Sequence, residues 1–595
     1  MFASWLEEIG RVFDGECNSP QFTTAEVQFE GASVQTGSLG SVDKDTQFGE
    51  SSSGNKVERT RALTSSGRPL ARRLDGTGLR AAPFFWLYTG RTWEDALITV
   101  LHSENFYHGL GLTHFKIDDP KPLFGFTSPI SVLAPLLADR FHVGWGLPFL
   151  KLLSLLAGPV TVWFGYQIVR DFLAPLSRAA AVLGAGYLAI EHHQILWGMA
   201  GMETQLATAI LLAAIYFLLA ENLTASAILS GMCLLARPDF ILWVGIAGAA
   251  TTVASIRRKD FKPLAKFAAL VTVIYGPWII FTTLYYGSPI PNTIVAKRLG
   301  YVGFWETATS FRSLLLNAAG ILRANVCSPL EPVFGGNGTG FSPLIKGYWL
   351  EELCLVVILF GFIDDLVRRR WRFWPIYAFA VLAAAFFVFR APAIFGWYVV
   401  PLCGVLALLL GKGVAAITDF LPRRLGSISA WLLTAAYLAS FAAVLPTTFR
   451  AERNIQELVE NRGRIEIGIY LSHTPPWTTI GGEPLGYIGY YSRRTYYDYP
   501  GLCSRKVVRW LQDHKYPRDS KELQVWEYLR PDYLVIRRFE YEIFIAHADG
   551  AFLLNDYRLD RDFSVPAEDQ KKLFHPEENV DLDFLVLKKV KGNPE

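Results

Sequence analysis

The sequence predicts a polytopic α-helical membrane protein with about ten or eleven transmembrane helices, followed by a C-terminal extracytoplasmic α/β domain. Two observations predict the helices. Of the 595 residues, 51% are hydrophobic and only 19% are charged, and apolar windows of about 17 to 25 residues recur from roughly position 145 to roughly position 445. The C-terminal α/β domain is predicted because, after roughly position 445, strand-like runs such as those starting at Pro531 and Asp583 alternate with polar segments.

The first 80 residues differ from the rest of the chain. Segments such as Gly31–Gln47 are rich in Ser, Gly and Thr without hydrophobic periodicity, so we predict a disordered cytoplasmic segment over 1–80. The start has no basic, then apolar, then small-residue pattern, which argues against a cleaved signal peptide. The apolar run from Ala81 has only about ten residues. It is either a short tilted helix or the remnant of a misassigned start.

The predicted membrane domain covers 81–445 and has its first external loop at 91–144. The predicted spans lie at 145–169, 177–191, 203–220, 223–236, 240–255, 264–286, 349–366, 374–390, 397–417 and 427–445. Basic residues at 257–259, 368–372 and 423–424 fall on one side of the membrane if these spans alternate, and the positive-inside rule makes that side cytoplasmic. The soluble domain at 446–595 then lies outside.

Composition and motifs exclude several function classes. The formal net charge is +3, and nothing in the sequence indicates nucleic acid binding. The 6 cysteines form no CxxC pair and no ligand spacing, so we expect neither a zinc site nor a disulfide scaffold and interpret most of them as small core residues. There is no internal repeat, P-loop, dinucleotide-binding or GxSxG motif.

The segment that starts at Trp93 carries candidate catalytic residues. Glu94 and Asp95 are adjacent carboxylates at the point where a first span would emerge. Asp95, His102 and Asn105 recur at helical spacing, which puts an acid, an imidazole and an amide on one face. A partly desolvated carboxylate at a membrane boundary holds its proton more tightly and can act as a general base. The alternative is an acidic first turn that favours the helix dipole.

Other polar residues lie beside apolar spans on the same predicted face. They are Glu203, Arg237, Asn292, Lys297 and Arg390. Charges at membrane depth are costly and tend to mark a site, and Arg and Lys suit a phosphate or pyrophosphate group. The alternative is that Arg237 forms an ion pair with Asp239 or Glu203, and that Lys297 only extends its ammonium to the interface.

Several runs of the sequence, taken in order, resemble a known family. They are EDALITVLHSENFYHGLGL from Glu94, FGFTSPISVL from Phe124, GMETQLA from Gly201, LLARPDF from Leu234, YYGSPIPNTIVAK from Tyr285 and TPPWTTIGGEPLGYIGYYSRRTYYDYPGL from Thr474. Over about 93–502 the chain resembles the bacterial polyprenyl-phosphate-dependent glycosyltransferases of the GT-C superfamily. It is most similar to the arabinofuranosyltransferase-like and mannosyltransferase-like members.

The resemblance implies a glycosyltransferase of cell-envelope biogenesis in the bacterial inner membrane, with a periplasmic C-terminal domain. Its donor would be a polyprenyl-phosphate-linked sugar, and its acceptor an extracytoplasmic glycan or lipid. In the family's pattern the acidic pair falls on Glu94 and Asp95, and the external Gly-Met-Glu falls on 201–203. The family commonly has Asp-Asp at the pair. Glu94 departs from that pattern, which makes Asp95 the preferred base.

Transfer from such a donor needs a base for the acceptor hydroxyl and a cationic cradle for the leaving phosphate. We therefore expect Asp95 and Glu94 to be catalytic, His102, Asn105, Glu203 and Asn292 to bind substrate, and Arg237, Lys297 and Arg390 to bind the donor phosphate. No cofactor is required. A divalent cation (Mg²⁺, Mn²⁺ or Ca²⁺) held by Glu94 and Asp95 is an alternative to part of the cradle, and the sequence leaves this open.

Two other function classes are alternatives. A transporter or flippase of a lipid-linked saccharide commonly shows repeats and charges near the membrane midplane, whereas here the charges lie at one rim. A non-catalytic glycan-binding scaffold of envelope assembly would use the tyrosines between Tyr487 and Tyr497. At strand-like spacing such aromatic residues more often belong to a core.

Overall fold

The computed structural model describes residues 81–115, 121–301, 308–332, 349–391, 393–514, 521–573 and 581–590. The segment predicted to be disordered, 1–80, lies outside them, and so does Cys17. The other five cysteines are buried and free of disulfide bonds, as expected for small core residues.

The membrane part is a series of helices. In chain order they are α1 (Ala81–Thr89), α2 (Glu94–Tyr107), α3 (Pro129–Asp139), α4 (Gly146–Ile168), α5 (Arg178–Ile190), α6 (His192–Met199), α7 (Thr204–Leu219), α8 (Leu223–Ala236), α9 (Ile241–Arg258), α10 (Lys262–Tyr286), α11 (Asn292–Gly300), α12 (Phe311–Ile321), α13 (Trp349–Val367), α14 (Trp374–Phe389), α15 (Gly396–Thr418) and α16 (Arg423–Asn454). Each predicted span coincides with one of these helices, and the short apolar run from Ala81 forms α1.

The number of helices that can cross a membrane alone is smaller than the number predicted. By length and apolarity, six helices of the described chain qualify, or seven if α6 and α7, which meet at a 117° bend, form one broken span. The helices α5 and α8 have 13 and 14 residues, about 20 Å of rise against the roughly 30 Å of a hydrocarbon core. The chain is a multi-pass membrane protein whose short helices pack against its longer ones.

The helix α15 lies at the centre of this bundle, and nearly all its residues are buried. It packs closely on α13, because a Cβ at Gly413 would lie only 2.0 Å from the carbonyl oxygen of Val357. Beside this contact Lys412, only 2% exposed, ion-pairs through Nζ with Asp364 at 2.5 Å and Asp365 at 3.1 Å. Lys412 thereby offsets part of the negative charge of the two carboxylates near the end of α13.

The last span does not end where its apolar residues end. The helix α16 continues through a π-helical segment, Ile455–Ile465, into α17 (Glu466–Ser472), so that one helical rod runs from Arg423 to Ser472. The helix therefore extends beyond the predicted end of the last span at 445, because hydropathy detects only the apolar part of a helix. The polar continuation extends the rod into the C-terminal domain.

The C-terminal domain is α/β, as predicted. Its strands and helices are β1 (Thr479–Gly482), α18 (Gly486–Ser492), β2 (Thr495–Asp498), α19 (Arg505–Asp513), α20 (Lys521–Leu529), β3 (Tyr533–Arg537), α21 (Arg538–Ala546), α22 (Ala551–Asp556), β4 (Tyr557–Ser564), α23 (Ala567–Gln570) and β5 (Asp583–Lys589). The five strands form one sheet in the order β2-β1-β3-β5-β4. The β2-β1-β3 ladders are parallel, and β5 pairs antiparallel with β3 and β4.

The strand-like runs at Pro531 and Asp583 became β3 and β5, and every residue of β3 is buried. The tyrosines considered for glycan binding mostly lie in the core, because Tyr487, Tyr496 and Tyr497 are buried. The core of the domain, rather than an exposed aromatic surface, therefore accounts for these three side chains.

Candidate active site

The acidic pair lies in the first turn of α2, where carboxylates favour the helix dipole. The helix begins after Trp93, whose extended backbone donates its N–H to the carbonyl of Ala200 at 2.8 Å. The two neighbouring carboxylates point toward different partners. Glu94 contacts the C-terminal domain, whereas the charge of Lys297 in α11 lowers the pKa of Asp95.

The predicted face of Asp95, His102 and Asn105 exists, but its members serve different purposes. His102 is fully buried, its Nδ1 lies 2.8 Å from the carbonyl of Ile98, and burial lowers its pKa to about 4. The Nδ2 of Asn105 donates to the carbonyls of Thr113 and His114 at 3.0 and 2.6 Å. Both side chains therefore bind backbone carbonyls, in α2 itself or in the loop that follows it.

Asn292 also has structural partners. At the start of α11 its Nδ2 donates to the carbonyl oxygens of Gly501 and Leu502 at 2.7 and 3.0 Å. It therefore fastens α11 to the loop that follows β2. Both amide protons are used, so in this arrangement Asn292 has no donor to offer a substrate.

Tyr398 brings two of the predicted cationic residues together. The Nζ of Lys297 donates to the Tyr398 hydroxyl at 2.7 Å. The guanidinium of Arg237 lies 5.3 Å from the centroid of the same ring and donates to the carbonyl of Trp397 at 3.0 Å. The sequence did not single out Tyr398, which lies in an ordinary apolar run. Its hydroxyl accepts a hydrogen bond from Lys297 and its aromatic ring lies beside Arg237, so one side chain contacts both cations.

Arg237 has an acidic partner of its own, as the ion-pair alternative proposed. Its Nε and Nη2 donate to the two carboxylate oxygens of Asp239 at 3.0 and 3.1 Å. With the bond to Trp397, three of its five N–H groups have described partners, which leaves two for an anion. Glu203, 7% exposed at the bend before α7, also attracts Arg237. These carboxylates hold the guanidinium in place.

Burial and neighbouring charges together set the pKa of Asp95. Burial raises the pKa of Asp95 above its usual range, Glu483 adds to this effect, and Lys297 opposes it. Burial lowers the pKa of Lys297, but Tyr398 and Asp95 outweigh burial and leave it raised. Glu483, which follows β1, was missed by the sequence analysis because only the fold brings the C-terminal domain to α2. A carboxyl group with a raised pKa beside a held cation is suited to proton transfer.

The fit of a divalent cation to the acidic pair is poor. The Oε2 of Glu94 accepts from Arg464 at 2.7 Å, and its Oε1 accepts the N–H of Gly486 at 2.8 Å. Across the residues that the structure describes, no group of three or more His, Cys, Asp or Glu side chains is arranged to hold a metal ion. Both oxygens of Glu94 are engaged by protein groups.

Arg390 is exposed at the end of α14. The interactions that join Arg237 to Lys297 run through Tyr398. The structure thus brings together Asp95, Glu203, Arg237 and Lys297 from the predicted set.

Beside the cations, Asp239 and Tyr398 line a small crevice with space for about one water molecule. The rest of its lining is apolar and consists of Phe240, Leu242, Phe379, Ala383, Phe387, Pro401 and Leu402. The crevice lies between α9, α14 and α15.

Comparisons with known proteins give one partial family match and several structural likenesses. Residues 452–577 match a family described as a domain of unknown function (DUF8728). A comparison with curated protein sequences finds no match.

Among solved structures, the chain is similar to ArnT from Cupriavidus metallidurans bound to undecaprenyl phosphate, with 12% identity, a TM-score of 0.47 and coverage of 87% of this chain and 98% of that one. It is also similar to the oligosaccharyltransferase AglB from Archaeoglobus fulgidus in complex with an inhibitory peptide and a dolichol-phosphate. There the identity is 13%, the TM-score is 0.49, and the coverage is 79% of this chain and 70% of that one. These are likenesses in chain arrangement at low identity, and the function proposed below rests on the chain's own residues.

Proposed function

We propose that the chain is a membrane glycosyltransferase of the GT-C type, which moves a sugar from a polyprenyl-phosphate donor to an extracytoplasmic glycan or lipid acceptor. One observation carries the proposal: Lys297 and Arg237 converge on Tyr398, and the charge of Lys297 lowers the pKa of the nearby Asp95 carboxyl. The order of the sequence motifs over 93–502 supports the same class.

In this reaction an acceptor hydroxyl attacks the anomeric carbon of the donor sugar. Asp95, as the carboxylate, takes the hydroxyl proton while the bond between the anomeric carbon and the phosphate oxygen breaks. The polyprenyl phosphate leaves with the electron pair of that bond and gains negative charge. Lys297 and the two remaining N–H groups of Arg237 stabilise that charge, and Asp239 and Glu203 keep Arg237 oriented.

The position of the cations supports a lipid-linked donor in preference to a soluble one. Arg237 directly follows α8, and Lys297 lies in α11, soon after the end of α10. A phosphate held near the ends of apolar helices fits a headgroup whose isoprenoid chain remains in the membrane.

The course of α8 supports an extracytoplasmic site. The helix starts just after Glu221, which ion-pairs at 3.3 Å with Arg258, where α9 meets the basic loop at 257–259. It ends just before Arg237. The site and this basic loop therefore lie at opposite ends of α8. If the basic loops face the cytoplasm, the site and the C-terminal domain face outward across the bacterial inner membrane.

The test is release of the lipid phosphate. The purified chain would be incubated with a panel of polyprenyl-phosphate-linked sugars and with glycan or glycolipid acceptors from bacterial envelopes. We expect one donor to give equal amounts of transferred sugar and polyprenyl phosphate. Transport of the intact donor across vesicles without its cleavage would instead support a flippase.

A further inference from the structure

The residues just before Asp95 are held from the C-terminal side of the chain. Arg91, 3% exposed, donates from Nε to Glu452 and from Nη1 to Glu460, both at 2.9 Å. The N–H of Thr92 donates to Oε1 of Gln456 at 3.0 Å. All three partners therefore come from the end of α16 and from the π-helical segment that follows it.

The domain beyond this rod adds contacts to the same short stretch. The Tyr487 hydroxyl donates to the carbonyl of Thr92 at 2.7 Å. Glu94 accepts from Arg464 and from the N–H of Gly486, as described above. Arg464 is itself bonded to Asp581, beside β5. These hydrogen bonds and ion pairs concentrate on positions 91–94, directly before Asp95.

Gly486 allows the closest of these contacts. A Cβ at this position would lie 2.2 Å from Cγ of Glu94 and 2.3 Å from its carbonyl oxygen. The start of α18 therefore abuts the first turn of α2, and any larger residue would displace that turn. By contrast, a Cβ at Gly463 in the π-helical segment would meet nothing within 4 Å.

From these contacts we infer that residues 452–577, the part of the chain that matches the DUF8728 family, complete the active site. They clamp positions 91–94 and thereby hold the Asp95 carboxyl at the reacting centre. Glu94 is then a positioning residue and not the base. The inference rests on the proposed function, because the clamp has a catalytic purpose only if Asp95 is the base. A misplacement of about 1 Å in a reacting group costs roughly 100-fold in rate, so the clamp is expected to affect kcat.

The test compares two glycine variants of the full chain, Gly486→Ala and the matched control Gly463→Ala. We expect Gly486→Ala to lower kcat by about 100-fold with donor KM within about twofold, and to raise amide hydrogen exchange over 91–97. Gly463→Ala should leave both unchanged. Equal kcat in the two variants, or no rise in exchange, would overturn the inference.

A second variant decides the question if Gly486→Ala does not fold. Glu94→Gln keeps the size of the side chain and an oxygen for the Gly486 N–H but loses the charge that pairs with Arg464. We expect a lower kcat with an unchanged midpoint for the acid limb of the pH profile, whereas loss of that limb would make Glu94 the base and refute the clamp. The matched control is Glu457→Gln, an exposed glutamate of the same π-helical segment.

The clamp and the proposed function fail in different ways. Hydrogen exchange needs no donor, so unchanged exchange in Gly486→Ala refutes the clamp whatever the activity. A wild-type chain that transfers no sugar refutes the proposed function, and with it the catalytic purpose of the clamp.

Discussion

The N–H of Gly486 donates to Oε1 of Glu94 at 2.8 Å, although 392 positions separate the two residues. This bond joins the C-terminal domain to the first turn of α2. The consequence is a division of labour in the acidic pair: Glu94 is hydrogen-bonded by the domain, whereas the charge of Lys297 acts on Asp95.

The pH profile should move in opposite directions when the neighbours of Asp95 are changed. Glu483 raises the pKa of Asp95 and Lys297 lowers it. The active form of the base is the carboxylate, so activity falls as the pH drops through this pKa. We therefore expect the acid limb of kcat/KM to shift to lower pH in Glu483→Gln and to higher pH in Lys297→Gln. Shifts in the same direction would contradict the assignment of that limb to Asp95.

Removal of one cation should weaken use of the donor. Arg237→Gln and Lys297→Gln each lose a charged hydrogen-bond donor to the phosphate, which is worth about 1.5 to 3 kcal/mol. We expect kcat/KM for the donor to fall correspondingly, with a smaller change in the acceptor's KM. The measurement is a donor and acceptor titration with purified, folded protein.

Two comparison variants sharpen this experiment. Arg237→Lys keeps the charge but loses the two-pronged contact with Asp239, so its effect should be intermediate. Arg390→Gln should have less effect than either, because Arg390 is exposed at the end of α14 and an exposed charge binds an anion more weakly. A larger loss for Arg390→Gln than for Lys297→Gln would put the phosphate elsewhere.

Arg91 should be important for stability. Its side chain neutralises Glu452 and Glu460, both nearly inaccessible to solvent, and breaking a buried ion pair by removing one partner costs about 3 to 5 kcal/mol. We expect Arg91→Gln to lower the thermal unfolding temperature in detergent markedly. The control, Arg453→Gln, breaks a more exposed pair with Glu457 and should cost at most about 1 kcal/mol. Equal melting temperatures for the two variants would be inconsistent with a buried network.

Reporter fusions test the orientation of the chain. Fusions after Arg424 and after Asn593 should report opposite compartments, with the first in the cytoplasm, because the basic loops are expected to remain inside. The same signal from both fusions would overturn the proposed sidedness.

The hydropathy of the sequence predicted where helices form better than how far they extend. The windows at 177–191 and 223–236 became α5 and α8, yet both helices are too short to span a bilayer alone. The window ending at 445 detected only the apolar part of a rod that continues to Ser472. Apolarity records which residues avoid water, whereas helix length also depends on caps and on the tertiary contacts of polar turns.

The sequence singled out charges that the structure brings together, but it did not indicate what the predicted amides contact. A charge such as Arg237 or Lys297 beside an apolar helix needs a specific partner, so its position already indicates a candidate site. Asn105 and Asn292 bind backbone carbonyls of distant loops, and the sequence carries no sign of which loop approaches. Glu483 was missed for the same reason, since its role depends on contacts that only the folded chain makes.

Sugar transfer by Asp95→Asn tests the central claim most directly. The substitution keeps the size of the side chain and removes the base, so we expect kcat to fall by about two orders of magnitude or more while the melting temperature stays near that of the wild type. The control is Asp419→Asn, which alters an exposed carboxylate next to Arg368 of a basic loop and should leave kcat unchanged. Transfer by folded Asp95→Asn at a rate close to that of the control would contradict the account.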